Sequence, residues 1–264
     1  MKLNTLLLAL LLGFSTYGVA HTAGNHSPSQ AQKQTSNNAT KQAQSGESSK
    51  MAVSASQQAP VLQVKYSVAV QGIDSGSKRL QPVSKFDWTF IRQPNSVSIL
   101  KGVIDETWSR DEQGNVRFER VFHDEKKVVD YYAGELKALN VDTDWSAIAS
   151  FVDPKALALL RVVGRTTSAS GPVIRLRGES QGDLITVNWS SDMQIPVQII
   201  RQTKAGSSIK INFAGPVDAT KLQKDNSSYL RFDAADFGDQ EYESVVKKSE
   251  ALDIRSGWRK AHNH

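Results

Sequence analysis

The sequence predicts an α+β chain, mostly antiparallel β, with a helical insert laid across one face of the sheet, and three observations predict it. Between Pro172 and Phe213, apolar and polar residues alternate through Ile185-Val187-Trp189, Ile195-Val197-Ile199 and Ile209-Ile211-Phe213, after a shorter run Val173-Ile174-Arg175-Leu176. A period of two means strands with one wet and one dry face. The separators Gln181-Gly182-Asp183, Ser190-Ser191-Asp192-Met193 and Lys204-Ala205-Gly206-Ser207 are short and rich in turn formers, which suits antiparallel hairpins. The period changes once, after Gly134, to helical spacing. A sheet with one dry face needs a cover. Whether the chain's own helices or a ligand supplies it is the functional question.

The elements follow in order. Lys2, the apolar run Leu3 to Phe14 and the small residues Gly18-Val19-Ala20 have the three parts of a secretory signal, so residues 1–20 are expected to be removed and the mature chain to begin at His21 and be exported. The apolar run is too short for a comfortable membrane span. With no cysteine there is no lipid attachment site, disulfide or thiolate metal site. Residues 21–60 are Ser, Gln, Asn, Ala, Thr and Lys without periodicity, a disordered leader. The folded domain is expected over 61–249. Its first strand is Leu62-Val64-Tyr66-Val68-Val70, and its second carries Phe86, Trp88 and Phe90 and ends at Gln93-Pro94-Asn95. Val97 with Ile99, Val103 to Trp108, Val116 to Phe122 and Val128 to Tyr132 continue as short strands, with Arg120 out of pattern.

Trp145, Ile148, Ala149 and Val152 then recur at helical spacing behind Asp142-Thr143-Asp144. Asp153-Pro154 reads as an N-cap and first-turn proline opening a second helix from Lys155 to Val162, stopped by Gly164. The insert thus occupies about 143–162, with Gly134 and Gly164 as its hinges. After the meander, Tyr229, Leu230 and Phe232 form a last strand. Asp239, Glu241 and Glu243 before Lys247-Lys248 mark a final helix with charges matched to its dipole. Residues 250–264 are expected to be a loosely held basic tail, with Trp258 the one ring in it that could dock.

Charge and motif content narrow the function. The formal charge of +5 dissolves along the chain, since 61–246 holds 23 Lys plus Arg against 24 Asp plus Glu. Cations concentrated in the leader and tail argue against a nucleic-acid groove. There is no Gly-rich phosphate loop and no Gly-x-Ser-x-Gly elbow. His123 lies on the strand face of Arg117 and Glu119 and is expected to be exposed, and His21, His26, His262 and His264 are too scattered for a built metal site. The neighbours Asp105-Glu106 and Asp124-Glu125 point to opposite faces of a strand. The cluster Asp233, Asp236, Asp239, Glu241 and Glu243 lacks calcium-loop spacing. No enzyme, metal or cofactor is expected.

Gly164-Arg165, Pro172-Val173-Ile174-Arg175-Leu176, Leu184 to Trp189, Ile195-Pro196-Val197 and the aromatic, proline-closed segment Phe86 to Pro94 carry a resemblance. The chain resembles, over Leu62 to Phe232, the periplasmic group of the lipoprotein carrier LolA, the receptor LolB and the regulator RseB. It departs from the group's commoner acidic-glycine turn, having Asp192-Met193-Gln194 before Ile195. The resemblance implies a curved, incomplete antiparallel barrel, LolA-like, with helices covering the concave face. It also implies that the fold holds a lipid, a lipidated protein or, in a sensor role, a periplasmic protein partner. The hydrophobic-face residues for such a ligand are Tyr66, Phe86, Trp88, Phe90, Phe118, Trp145, Ile148, Val152, Trp189 and Ile195, and ordinary core packing is the competing account of the same set. On this reading the insert is a movable helical lid.

Overall fold

The computed structural model describes residues 59–260, apart from 75, 78, 169, 170 and 181. The expected signal segment, nearly all of the leader and the last four residues of the tail lie outside the described residues. Six strands come first: β1 Leu62–Gln71, β2 Ser84–Arg92, β3 Ser96–Leu100, β4 Ile104–Arg110, β5 Val116–Phe122 and β6 Lys127–Tyr131. Three short helices follow, α1 Ala133–Ala138, α2 Trp145–Ser150 and α3 Pro154–Leu157. A second run of strands comprises β7 Arg161–Ser168, β8 Gly171–Ser180, β9 Asp183–Ser190, β10 Ile195–Gln202 and β11 Ser208–Pro216, and the chain closes with β12 Leu230–Asp233 and α4 Ser244–Arg255.

All twelve strands form one open, curved sheet in the order β12-β6-β5-β4-β3-β2-β1-β11-β10-β9-β8-β7. Each meander pairs sequentially because its loops are short. The two are joined by a single long-range antiparallel pairing of β1 with β11, with Val68 opposite Ile211. Every pair is antiparallel except β12 with β6. Register carries the dry face across the join. Phe86, Val68, Ile211, Ile199, Val187, Leu176 and Val162 stand opposite one another in turn, an apolar row seven strands wide.

The insert departs from expectation in length and attachment. Asp144 and Asp153 do cap α2 and α3, accepting from the backbone N–H groups of Ser146 and Lys155. The second helix, however, stops at Leu157 instead of running to Val162. Arg161 to Ser168 is rich in β-branched residues and finds in β8 a strand to pair with, and that tertiary pairing wins over the local helical pattern. Gly164 therefore lies inside β7 and Gly134 inside α1, so neither glycine is a hinge. Leu160, between α3 and β7, is seated by a close approach to Gly178: a Cβ there would lie 2.7 Å from the leucine Cδ2.

The C-terminal expectation is corrected too. The final helix starts at Ser244, after the acidic residues rather than on them, and continues through Arg255, past the Ser249 boundary. Lys247 and Lys248 fall in its middle. Trp258 packs edge-on against Phe118 at 5.2 Å and Trp108 at 5.8 Å. The partners that dock the tail are on β4 and β5, more than a hundred residues away in sequence.

Candidate functional site

The dry face is the candidate site, and its aromatic residues fall into two clusters. In the first, Tyr66 of β1 stacks on Trp88 of β2 with ring centroids 4.7 Å apart, because the β1–β2 register sets them directly opposite. Phe151, which follows α2, packs against the stacked pair, 4.8 Å from Trp88, 5.6 Å from Tyr66 and 6.0 Å from Phe90. It does so from the left-handed region at φ 63°, a conformation a bulky residue adopts only when its surroundings impose it. Ile148, Val152, Trp189 and Ile195 are buried in the same continuous core. Tyr66 donates to the Pro196 carbonyl at 2.7 Å, and burial pushes its hydroxyl pKa up despite nearby Arg92.

Phe118 belongs to the second cluster, with Trp108 at 4.5 Å, Tyr131 at 5.5 Å and Trp258. Trp145 is half-buried on the rim, with the Arg110 guanidinium 4.6 Å over its ring, and Phe86 is half-buried at the opposite end of β2 from Phe90. Of the ten proposed ligand residues, eight are buried in that core, and Phe86 and Trp145 are half-buried against it. Most of them are closed off from solvent by the protein's own helices.

Two buried arginines, neither read as functional from the sequence, fix that cover. Arg92, at the end of β2, donates to the carbonyls of Pro60 (2.8 Å), Ala149 (2.7 Å), Gln194 (3.2 Å) and Met193 (2.5 Å). It joins the C-terminal turn of α2, where the helix dipole favours a cation, to the β9–β10 turn. Burial lowers its pKa to about 10. Arg120 follows the β5 alternation after all, pointing inward with Val116 and Phe118. Its Nη1 lies 3.0 Å from Asp253 of α4 and 3.1 Å from the Tyr131 hydroxyl, and its Nε 3.3 Å from Glu106. A buried charge is tolerable only when paired in this way. An arginine breaking an apolar alternation is the sequence signal that could have flagged this network.

His123 is buried rather than exposed: β5 ends against the β3–β4 turn, and the imidazole Nε2 lies 2.7 Å from Asp105 while Nδ1 lies 3.3 Å from the Tyr229 hydroxyl. Asp105 also accepts from the backbone N–H groups of Lys101 and Gly102, so this carboxylate organises a turn. Asp105 and Glu106 serve opposite faces, as their adjacency requires. Among the described residues no group of three His, Asp or Glu could hold a metal ion, and no helix is long and apolar enough to cross a membrane.

The apolar layer is only half-buried at one end. Val70 closes β1, while Phe86 and Ile209 lie near the starts of β2 and β11, so all three stand at the same end of adjacent antiparallel strands. They are half-buried, in contrast to Val64, Tyr66, Trp88 and Phe90 further along. The connection from β1 to β2 at that end carries Leu80, 58% exposed, and Val83, 46% exposed.

No family model and no curated protein matches the chain. Among solved structures it is similar to an uncharacterized conserved protein from Thermus thermophilus, at 11% identity over 64% of this chain and 90% of that one, with a TM-score of 0.29. It is similar to PNGF-II at 11% identity over 69% of this chain and 34% of that one, TM-score 0.35, and to MucB at 13% identity over 68% and 62%, TM-score 0.34. The chain therefore spans about a third of PNGF-II and less than two thirds of MucB. Overlaps this loose fix neither a family nor a function.

Proposed function

We propose that the chain is a non-enzymatic binding protein, exported to the periplasm, that takes an apolar group such as a lipid acyl chain at the half-buried end of its sheet. The observation that carries this reading is the half-buried trio Val70, Phe86 and Ile209, side by side on adjacent strands at one end of the apolar layer. The resemblance of the sequence to the LolA, LolB and RseB group points the same way. The ligand adds to the sheet beside the helices and does not displace them, because Arg92 ties α2 to the sheet through buried hydrogen bonds. Each methylene that enters contributes roughly 0.8 kcal/mol, about a fourfold gain in affinity. Affinity for a series of fatty-acid probes is therefore expected to rise with chain length in the wild type and to lose that slope in Phe86→Lys. Native mass spectra showing only bare polypeptide, with no probe displaced by any fatty acid, would sink the reading. A second reading, a protein-interaction domain of the envelope, is favoured by β7, an edge strand with a neighbour on one side only.

A further inference from the structure

The near-neutral charge of the folded domain hides a segregation that the sheet order makes spatial. The stretch from Arg161 to Pro216, which forms β7 to β11, carries seven Lys plus Arg against three Asp plus Glu, whereas residues 217–246 carry three against seven. Because β12 and β7 are the two edges, the cations gather toward the β7 edge. On the outer face there, Arg161 stands directly opposite Arg177, both exposed. Like charges facing each other across a strand pair are destabilising. Neither arginine has an ion pair among the described residues, and the nearest acid on that face, Glu179, has none either. Arg165, also exposed, adds a cation on the opposite face of β7.

We infer that the β7 edge is a docking site for an extended acidic peptide segment of a partner protein, added antiparallel or parallel as a thirteenth strand. An edge strand offers a row of backbone donors and acceptors to such a segment, and alternate side chains of the newcomer fall on each face of the sheet. Carboxylates on it relieve the Arg161–Arg177 confrontation on one face and meet Arg165 on the other. The bulge at Val163, which is 40% exposed, leaves an aliphatic contact in the middle of the strand.

The charges also select against the other occupants. A second copy pairing antiparallel about Val163 would set Arg161 of one chain against Arg165 of the other. The chain's own leader, with three Lys and one Glu between residues 21 and 60, carries the wrong sign. The site is on a different part of the sheet from the proposed apolar one and stands or falls without it.

The test is fluorescence anisotropy of the full chain with a labelled peptide of the sequence Val-Glu-Glu-Val-Val-Glu-Glu-Val, which sets glutamates on both faces and matches the eight residues of β7. Two controls are the same peptide with lysine for glutamate, and the acidic peptide with alternate backbone nitrogens methylated so that it keeps its charge and loses its donors. The acidic peptide is expected to bind at least roughly tenfold more tightly than either control, and its affinity to fall by about tenfold or more in the Arg161→Glu, Arg177→Glu double variant. Arg161→Gln, which removes one charge and adds none, is expected to lie between. Backbone amides of β7 are expected to exchange more slowly in the complex. Equal binding of the methylated peptide, unchanged binding by the double variant, or displacement of the peptide by phosphatidylglycerol vesicles with no protection of β7 would each overturn the inference.

Discussion

Arg120 occupies an inward position of β5, where the strand period calls for an apolar side chain, and it is stable there because three elements bring it partners. Glu106 of β4 is one of them, set directly opposite Arg120 by the strand register. Burial on its own would raise the Glu106 carboxyl, but the Lys101 ammonium and the Arg120 guanidinium together outweigh it and hold the group at about 2, below its ordinary 4.5. A folded-state value below the unfolded one means that the ionised form stabilises the fold. That contribution is complete above about pH 5 and is lost as the pH falls from about 4.5 toward about 2. Glu106→Gln is therefore expected to cost on the order of 3 kcal/mol at neutral pH, with the gap between variant and wild type closing in acid. Urea titrations at pH 7 and pH 3 measure it, and a gap independent of pH would refute the pairing.

Helix α4 shows the same physics at the scale of an element. Its sequence is only weakly amphipathic in appearance, and what holds it is Asp253, sealed from solvent against Arg120 and Tyr131, together with Trp258 against Phe118 and Trp108. Ending the chain after Ser249 removes both and leaves Arg120 with Glu106 alone of its two carboxylates, so a loss of roughly 3–5 kcal/mol is expected. Near-ultraviolet circular dichroism should lose the tryptophan contribution in parallel. A truncated chain with an unchanged urea midpoint would mean that the tail is the loose appendage its composition suggests. The helices α2 and α3 were partly legible because caps are local: Asp144 and Asp153 each bond two residues ahead. Their ends were not legible, since Leu157 yields to β7 only because β8 is there to receive it.

In the whole molecule, the pairing of β1 with β11 joins two meanders into one sheet, and the buried apolar cluster runs without a break from Trp108 and Phe118 through Tyr66 and Ile211 to Leu176. A single core predicts a single cooperative unfolding event, even at a size where independent subdomains are common. Calorimetry of the full chain is expected to give one transition whose van't Hoff and calorimetric enthalpies agree, and two resolved transitions would show that the halves fold separately. The sequence by itself determined every strand but β7, their dry faces, most of the turns between them and the start of the helical insert. Those depend on side-chain period and local backbone preference, which are written within a few residues of each other. Only the tertiary structure decided that β1 meets β11, that Arg92 and Arg120 are buried and paired, that His123 is inside, and that cations collect at one edge of the sheet. Each of those joins residues tens to more than a hundred positions apart, and no local pattern encodes which distant partner will satisfy a buried charge.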